Sequence, residues 1–412
     1  MISKSILSCR EAIYRNLQQC RRDTFDLFAG MDYDTFCRQV HPEFSPVGWH
    51  LGHIAYTEDL WLLQKCGKFK PVFPKYHKLF AADILPKQER VYLPTIPEVE
   101  LYLDTVRKKV LDYLEIAPIA QQERLWQFII QHESQHCETV AFLLQMQQQE
   151  RGEGERGRPI ADELPMANSA IEIPAGEFYI GSDRLEALDN ERSRHLCYLD
   201  KYSIDRYPVT CGQYRHFMAS EGYQNPQWWS AEGWKWLQSN LVDRPLYWSD
   251  NPAKNNHPVC GVSWYEAEAY CNFIGKRLPT ESEWEKAASW DAVNQTQRTY
   301  PWGEELPNSS LCNHGNKIGN TAPVDKFPQG ASSFGCCDML GNVWEWTAST
   351  FDAYPGFESY PYSGYSQAYF DGEHRVLKGG SWATHAPSLR SSFRNWYYPG
   401  VRQIIAGFRC AQ

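Results

Sequence analysis

The hydrophobic period of this chain changes once, near residues 148–170, and that change constrains its fold more than any other feature. Before it, apolar residues recur at helical spacing over long stretches, about 5–28, 46–66, 97–116 and 119–149. Four amphipathic helices joined by modest loops predict an antiparallel bundle. After it, short β-rich pieces ("IEIPAGEFYIGS", "CYLDKYSIDRYPVT", "HRVLKGGSWA", "AGFRCA") are broken by Gly, Pro, Asn and Trp. Only short helices are predicted there, at about 211–221 and 263–275, the latter followed by "RLPTESEWEKAA". Such a texture reads as an irregular α+β domain, rich in loops of the kind that carry binding residues. Between the two, "QQQERGEGERGRPIADELP" is charged, contains Gly and Pro and lacks apolar periodicity, which marks a linker. The expected division is a helical bundle over 1–152, a linker over 153–169 and a loop-rich domain over 170–412.

Charge and cysteine usage exclude several classes of function. The net charge is −9 and no long basic run occurs, so nucleic acid is not expected as a partner. The N-terminal stretch "MISKSILSCREAIYRNLQQCRRDTFDLF" breaks its apolar residues with charges, and no run of about 18 apolar residues appears anywhere. Neither a signal peptide nor a membrane partner is expected. The 13 cysteines are scattered without a C-x-x-C pair, which suits a reducing cytoplasm better than a disulfide framework. Aromatic residues are abundant, with 16 Trp, 24 Tyr and 19 Phe, most of the Trp lying after residue 225. They predict either a large core with little regular structure or an aromatic-lined pocket suited to a cationic ligand.

Within the last predicted helix of the first half, "FIIQHESQHCETV" satisfies H-E-x-x-H with His132, Glu133 and His136. Positions i and i+4 lie about 40° apart around a helix and one turn apart along it, so two imidazoles can reach one metal ion. Leu125, Phe128, Ile129, His132, His136, Val140, Leu143 and Leu144 recur at helical spacing, so the histidines continue the buried stripe. A zinc-protease helix, an iron site and a polar seam within a bundle are all compatible with that pattern. A further ligand is available upstream in "SPVGWHLGHIAYTEDLWLL", where Pro46 marks a helix start and His50 and His53 are spaced i,i+3. Either would complete a three-histidine site inside a bundle, and imidazole suits Fe, Zn, Cu and Ni alike.

Five motifs together give the chain a family resemblance: "WHLGH" (49–53), "HESQHCET" (132–139), "GCCDMLGNVWEWTAS" (335–349), "RVLKGGSW" (375–382) and "RNWYYPGVRQIIAGFRCA" (394–411). In this combination and order the sequence resembles the sulfoxide synthases of ergothioneine and ovothiol biosynthesis. These are non-haem iron(II) enzymes that join a DinB-like four-helix bundle to a C-type-lectin-like, formylglycine-generating-enzyme-like domain with little regular structure. The resemblance implies Fe(II) held by His53, His132 and His136, with His50 a structural neighbour. Glu133 becomes a supporting or helix-surface residue instead of a protease's general base. Gln135 and Asn395 match residues that hold a histidine-betaine (hercynine) substrate, and Trp396 offers an aromatic face to its trimethylammonium group. The implied reaction couples a thiol sulfur to C2 of the histidine imidazole and oxidises that sulfur with one dioxygen. A tyrosine delivers a proton or hydrogen atom; in "GFESYPYSGYSQAYF" it matches Tyr362, with Tyr360 as the alternative.

Thiol choice follows from departures. Relatives that use γ-glutamylcysteine carry Asp directly after the matching "RNW" and two Arg ahead of a Leu-Pro-Leu-Leu stretch. Here Tyr397 follows Trp396, and the basic pair is Lys87 and Arg90 before "VYLPT". Loss of the acid, and of one bidentate Arg grip, favours cysteine, with Arg90 expected to pair with the thiol substrate's carboxylate. The chain carries no methyltransferase-like segment after the lectin-like core, which favours the ergothioneine branch over ovothiol- or selenium-type relatives. Two other classes are weighed as well. A formylglycine-generating enzyme needs cysteines after its Gly-Gly-Ser stretch, and "GGSWATHAPSLRSSFRN" has none. A silent ligand-binding module would tolerate loss of the three histidines. The oligomeric state is left open.

Overall fold

A computed structural model describes residues 2–150 and 169–412, so the expected linker over 153–169 lies outside the described residues except for Ser169. The chain forms two compact units, Met1–Glu153 and Gly154–Gln412.

In the first unit the helices are α1 (Ile2–Phe28), α2 (Tyr33–Cys37), α3 (Val47–Glu58), α4 (His77–Phe80), α5 (Ile96–Ile116) and α6 (Ile119–Glu150). The rod beginning at α3 continues to Cys66, but over Asp59–Cys66 it unwinds into a π-helix. Pro46 stands at the cap, one position before the first turn expected for it. Helix α5 starts on a capping box in which Thr95 and Glu98 satisfy each other's backbone donors. α1 packs on α6, and α3 packs on both α5 and α6. The seam buries Ile13, Leu17, Leu51, Ile54, Leu103, Val106, Val110, Phe128, Ile129 and Leu143. Two glycines shape α3. A Cβ on Gly48 would lie 2.3 Å from the Phe36 ring, and one on Gly52 would lie 2.1 Å from the Phe80 ring. The "GWHLG" spacing thus lets two aromatic rings seat directly against the helix that carries His50 and His53.

Four charges cross this apolar seam, one from each long helix. Arg21 Nε donates to Glu133 Oε1 (2.9 Å) and Arg21 Nη2 to Glu58 Oε2 (2.9 Å). Arg107 Nε donates to Glu58 Oε1 (2.5 Å) and Arg107 Nη2 to Glu133 Oε2 (2.6 Å). All four side chains are buried, and the alternating ring leaves each charge two partners.

The second unit has little regular structure, as its sequence texture implied. Its strands are β1 (Ala170–Ile173), β2 (Gly176–Ile180), β3 (His195–Leu199), β4 (Tyr202–Asp205), β5 (Trp290–Asp291), β6 (Thr296–Gln297), β7 (Trp344–Thr350), β8 (Arg375–Lys378), β9 (Asn395–Tyr397) and β10 (Ala406–Gly407). Its helices are α7 (Cys211–Ala219), α8 (Ala231–Asn240), α9 (Trp264–Phe273) and α10 (Glu281–Ser289). The largest sheet runs β10-β7-β8-β9, with β10 parallel to β7 and the other pairs antiparallel. Helix α8 and strand β7 were not foreseen. Ser230 caps α8, but its Gly and Trp residues obscure a helical period. Buried ion pairs hold the loops: Arg409 grips Glu345 (2.6 and 2.7 Å), Arg394 pairs with Glu281 (2.7 Å) and Lys378 with Glu285 (2.8 Å).

Candidate metal centre

His53 on α3 and His132 and His136 on α6 converge in the bundle interior. One ring nitrogen from each lies within 4.8 Å of the others, and among the described residues no other such group of metal-ligating side chains occurs. The ring centroids are 5.1 Å (His53–His132), 4.9 Å (His53–His136) and 4.4 Å (His132–His136) apart. Burial pushes His53 down to about 4, and it holds His132 and His136 well below the ordinary histidine range, where the neighbouring rings add to the effect. All three are therefore neutral near pH 7, the form that coordinates a metal.

Supporting contacts decide which nitrogen faces inward. His53 donates its Nδ1–H to the Phe80 carbonyl (2.7 Å), which leaves the Nε2 lone pair for a ligand. Nε2 of His132 and Nε2 of His136 lie 3.2 Å apart. Behind His53 the indole of Trp49 is stacked at 4.5 Å with planes 13° apart, and Trp49 Nε1 donates to the Leu79 carbonyl (2.8 Å). Two consecutive carbonyls at the end of α4 thus fix an imidazole and the ring stacked on it. The Phe80 ring can reach that position because residue 52 is glycine.

Arg90, expected to bind the thiol substrate's carboxylate, packs against Trp49. Its guanidinium is buried and lies over the outer face of Trp49, 4.3 Å from the ring. Nη1 donates to Ser45 Oγ (3.0 Å), while Nε and Nη2 donate to the Leu85 carbonyl (3.0 and 2.8 Å) and Nη2 also to that of Ala82. These commitments make it the back wall of an Arg90–Trp49–His53 stack. Lys87 is half-buried and donates to the Glu43 carbonyl (2.6 Å), with the Glu43 carboxylate 3.8 Å away.

His50 is buried one turn before His53 and does not belong to the three-nitrogen group. Its Nδ1 lies 2.8 Å from Nδ1 of His136. Gln135 sits half-buried between the two α6 histidines. Glu133, expected to support the site or lie on the helix surface, is instead buried in the four-charge ring; the paired guanidinium charges, against the cost of burial, hold its carboxyl well below the usual range. An acid so held is no general base. Three neutral imidazoles, two buried and His136 half-buried, with the outer nitrogens of His53 and His136 anchored, fit a divalent first-row metal ion.

In the second unit, Trp396 stacks on Phe351 at 4.3 Å with planes 8° apart. Tyr365 meets Trp396 edge-on at 6.0 Å, Tyr369 lies at 5.5 Å, and Tyr362 lies 6.4 Å from Tyr365. Tyr362 is 38% exposed at the rim of this aromatic cluster. Alternation along β9 places Asn395 and Tyr397 on the face opposite to Trp396, and Asn395 Oδ1 accepts from the Trp396 backbone N–H (2.9 Å). The Tyr360 N–H donates to Asp189 Oδ2 (3.2 Å).

Sequence reading missed Trp49, the α4 carbonyls and the charge ring. A trace of the last was visible: Arg107 falls at helical spacing between Leu103, Val110 and Leu114, and a charge within an apolar stripe demands buried partners.

Comparison with known proteins covers the whole chain. Residues 156–412 match the sulfatase-modifying factor enzyme 1-like domain, and residues 16–140 match the DinB superfamily. The hercynine oxygenase of Mycolicibacterium smegmatis is 37% identical over 431 residues, covering 98% of this chain and 99% of that protein. Hercynine oxygenase of Mycobacterium tuberculosis is likewise 37% identical, over 445 residues that span 100% of this chain and 99% of the relative. The inactive C-alpha-formylglycine-generating enzyme 2 of Mus musculus is 30% identical over 281 residues, covering 58% of this chain and 84% of its own length.

Proposed function

The chain belongs to the hercynine oxygenase family of ergothioneine-type sulfoxide synthases, and from that premise we propose that it joins cysteine sulfur to C2 of hercynine's imidazole. The reaction balances on one dioxygen. The thiol S–H and the imidazole C2–H are lost, a C–S and an S–O bond form, and the second oxygen leaves as water. The observation that carries the reading is the convergent, neutral His53, His132 and His136 group. These three residues would hold Fe(II), which when bound supplies a site for thiolate and dioxygen and the electrons that oxygen needs.

The chain's own residues bind, orient and move protons. In this proposal Gln135 and Asn395 orient hercynine by hydrogen bonds, and Trp396 offers its ring to the trimethylammonium group. Tyr362 is proposed to deliver the proton that commits oxygen to C–S bond formation. Tyr397 stands where an acid would hold a glutamyl ammonium, which favours cysteine. Arg90 is proposed to pair with the thiol substrate's carboxylate, its guanidinium held in place by Ser45, Ala82 and Leu85.

The test is anaerobic reconstitution with Fe(II), then hercynine, dioxygen and either cysteine or γ-glutamylcysteine, with products identified by mass. The reading predicts the cysteinyl sulfoxide of hercynine. Recovery of unchanged hercynine with an iron-loaded protein would refute it.

A further inference from the structure

His50 lies behind the metal centre, and its ring contacts a ligand directly: Nδ1 of His50 is 2.8 Å from Nδ1 of His136. One of those nitrogens donates and the other accepts, and the choice fixes what His136 can do. If His50 donates, the single proton of neutral His136 sits on Nε2. That nitrogen then points a hydrogen at His132 Nε2, 3.2 Å away, and the pair is closed to a metal. If His136 donates its Nδ1–H to His50, its Nε2 carries a lone pair directed at the other two ligands. The proton of His50 then resides on Nε2, a buried atom with no hydrogen-bond partner.

We propose that His50 is a positioning residue that accepts the Nδ1–H of His136 and so sets the ligand for coordination through Nε2. The inference rests on the reading of His53, His132 and His136 as a metal site. It completes a pattern, since His53 is fixed in the same way by the Phe80 carbonyl. The outer partner of His136 is distinctive in being an uncharged ring. Of the acids flanking it in sequence, Glu133 is tied to Arg21 and Arg107. A neutral ring as the outer partner adds no negative charge to this ligand, unlike a carboxylate in the same place.

The experiment measures Fe(II) and Co(II) affinity anaerobically by competition with a chromophoric chelator, for the full chain and for the His50→Phe, His50→Asn and His50→Gln variants. Asn places an acceptor near the position of Nδ1, whereas Phe places none and Gln reaches beyond it. His50→Phe and His50→Gln should weaken binding about 10–100-fold, the usual effect of losing an outer partner of a ligand, and His50→Asn should recover most of that loss. Thermal melts of the metal-free proteins separate an affinity change from a folding defect. Nitrogen-15 NMR of the Zn(II)-loaded wild type reads the tautomer without any variant and should show a proton on His136 Nδ1. If the wild type binds no metal, the site reading itself fails. If it binds, but His136 Nδ1 carries no proton or folded His50→Phe keeps wild-type affinity, this inference alone is overturned.

Discussion

Glu133 follows the ligand His132 directly in sequence, yet its carboxylate turns into the helix seam, where Oε2 accepts from Arg107 Nη2 at 2.6 Å. In a metalloprotease the acid of H-E-x-x-H faces the metal-bound water; here the same letters place an acid in a structural ring. Glu133→Gln should therefore lower stability and not act as the loss of a general base. Removing one partner from a buried charge network costs about 3–5 kcal/mol. Urea unfolding checks the size, and a folded variant that loses all turnover with unchanged stability would contradict it.

Acid should unfold the metal-free bundle in two overlapping ranges. His53 has its folded value lowered from 6.5 to about 4 by burial, so its contribution is complete above pH 6.5 and is lost as pH falls towards 4. Glu133 is lowered from 4.5 to about 2, so its contribution is complete above pH 4.5 and is lost below it. These two groups should thus lower stability on acidification. Denaturant midpoints at pH 7.5, 5.5 and 4 would show it, and a midpoint that rises between 7.5 and 5.5 would reverse the sign argued here.

Each of His53→Ala, His132→Ala and His136→Ala should lose divalent metal binding by more than the roughly 10–100-fold expected for an outer partner. The three are not equivalent in stability. His53→Ala also strips the Trp49 indole of its stacking partner and leaves the Phe80 carbonyl unpaired, so it should melt at the lowest temperature. Calorimetry of the metal-free variants ranks them.

Tyr362→Phe should keep metal and substrate binding while diverting oxygen from C–S coupling to oxidation of the thiol alone. The residue is partly exposed at the edge of the Trp396 cluster, so losing one hydroxyl costs little structure. Product partition reads the effect, and an unchanged sulfoxide yield would move the role to another tyrosine.

Cysteine should be used at least about tenfold more efficiently than γ-glutamylcysteine, a difference of only about 1.4 kcal/mol in the transition state. Tyr397 offers no charge to a glutamyl ammonium, and Lys87 is engaged by Glu43. Comparing kcat/KM for the two thiols at saturating hercynine decides it.

The sequence made the bundle legible because each long helix carries an uninterrupted apolar period, and the i,i+4 histidines sit within one. The pairing of His50 with His136 was hidden because the rings come from helices 86 residues apart, and neither spacing nor propensity encodes that distance. The setting of Arg90 was hidden for a related reason. Spacing along a loop does not show the three oxygen acceptors that its guanidinium meets in the folded chain. In the second unit β7 escaped notice because its "WEWTAST" run shows no strict alternation of burial.

The ring of Arg21, Glu58, Arg107 and Glu133 takes one member from every long helix of the first unit. Detaching any one helix would strand a charge in an apolar interior, a penalty of about 3–5 kcal/mol on partial opening. Separating α3 from α6 would also part His53 from His132 and His136, so the spacing of the three nitrogens is enforced by charges that never touch them.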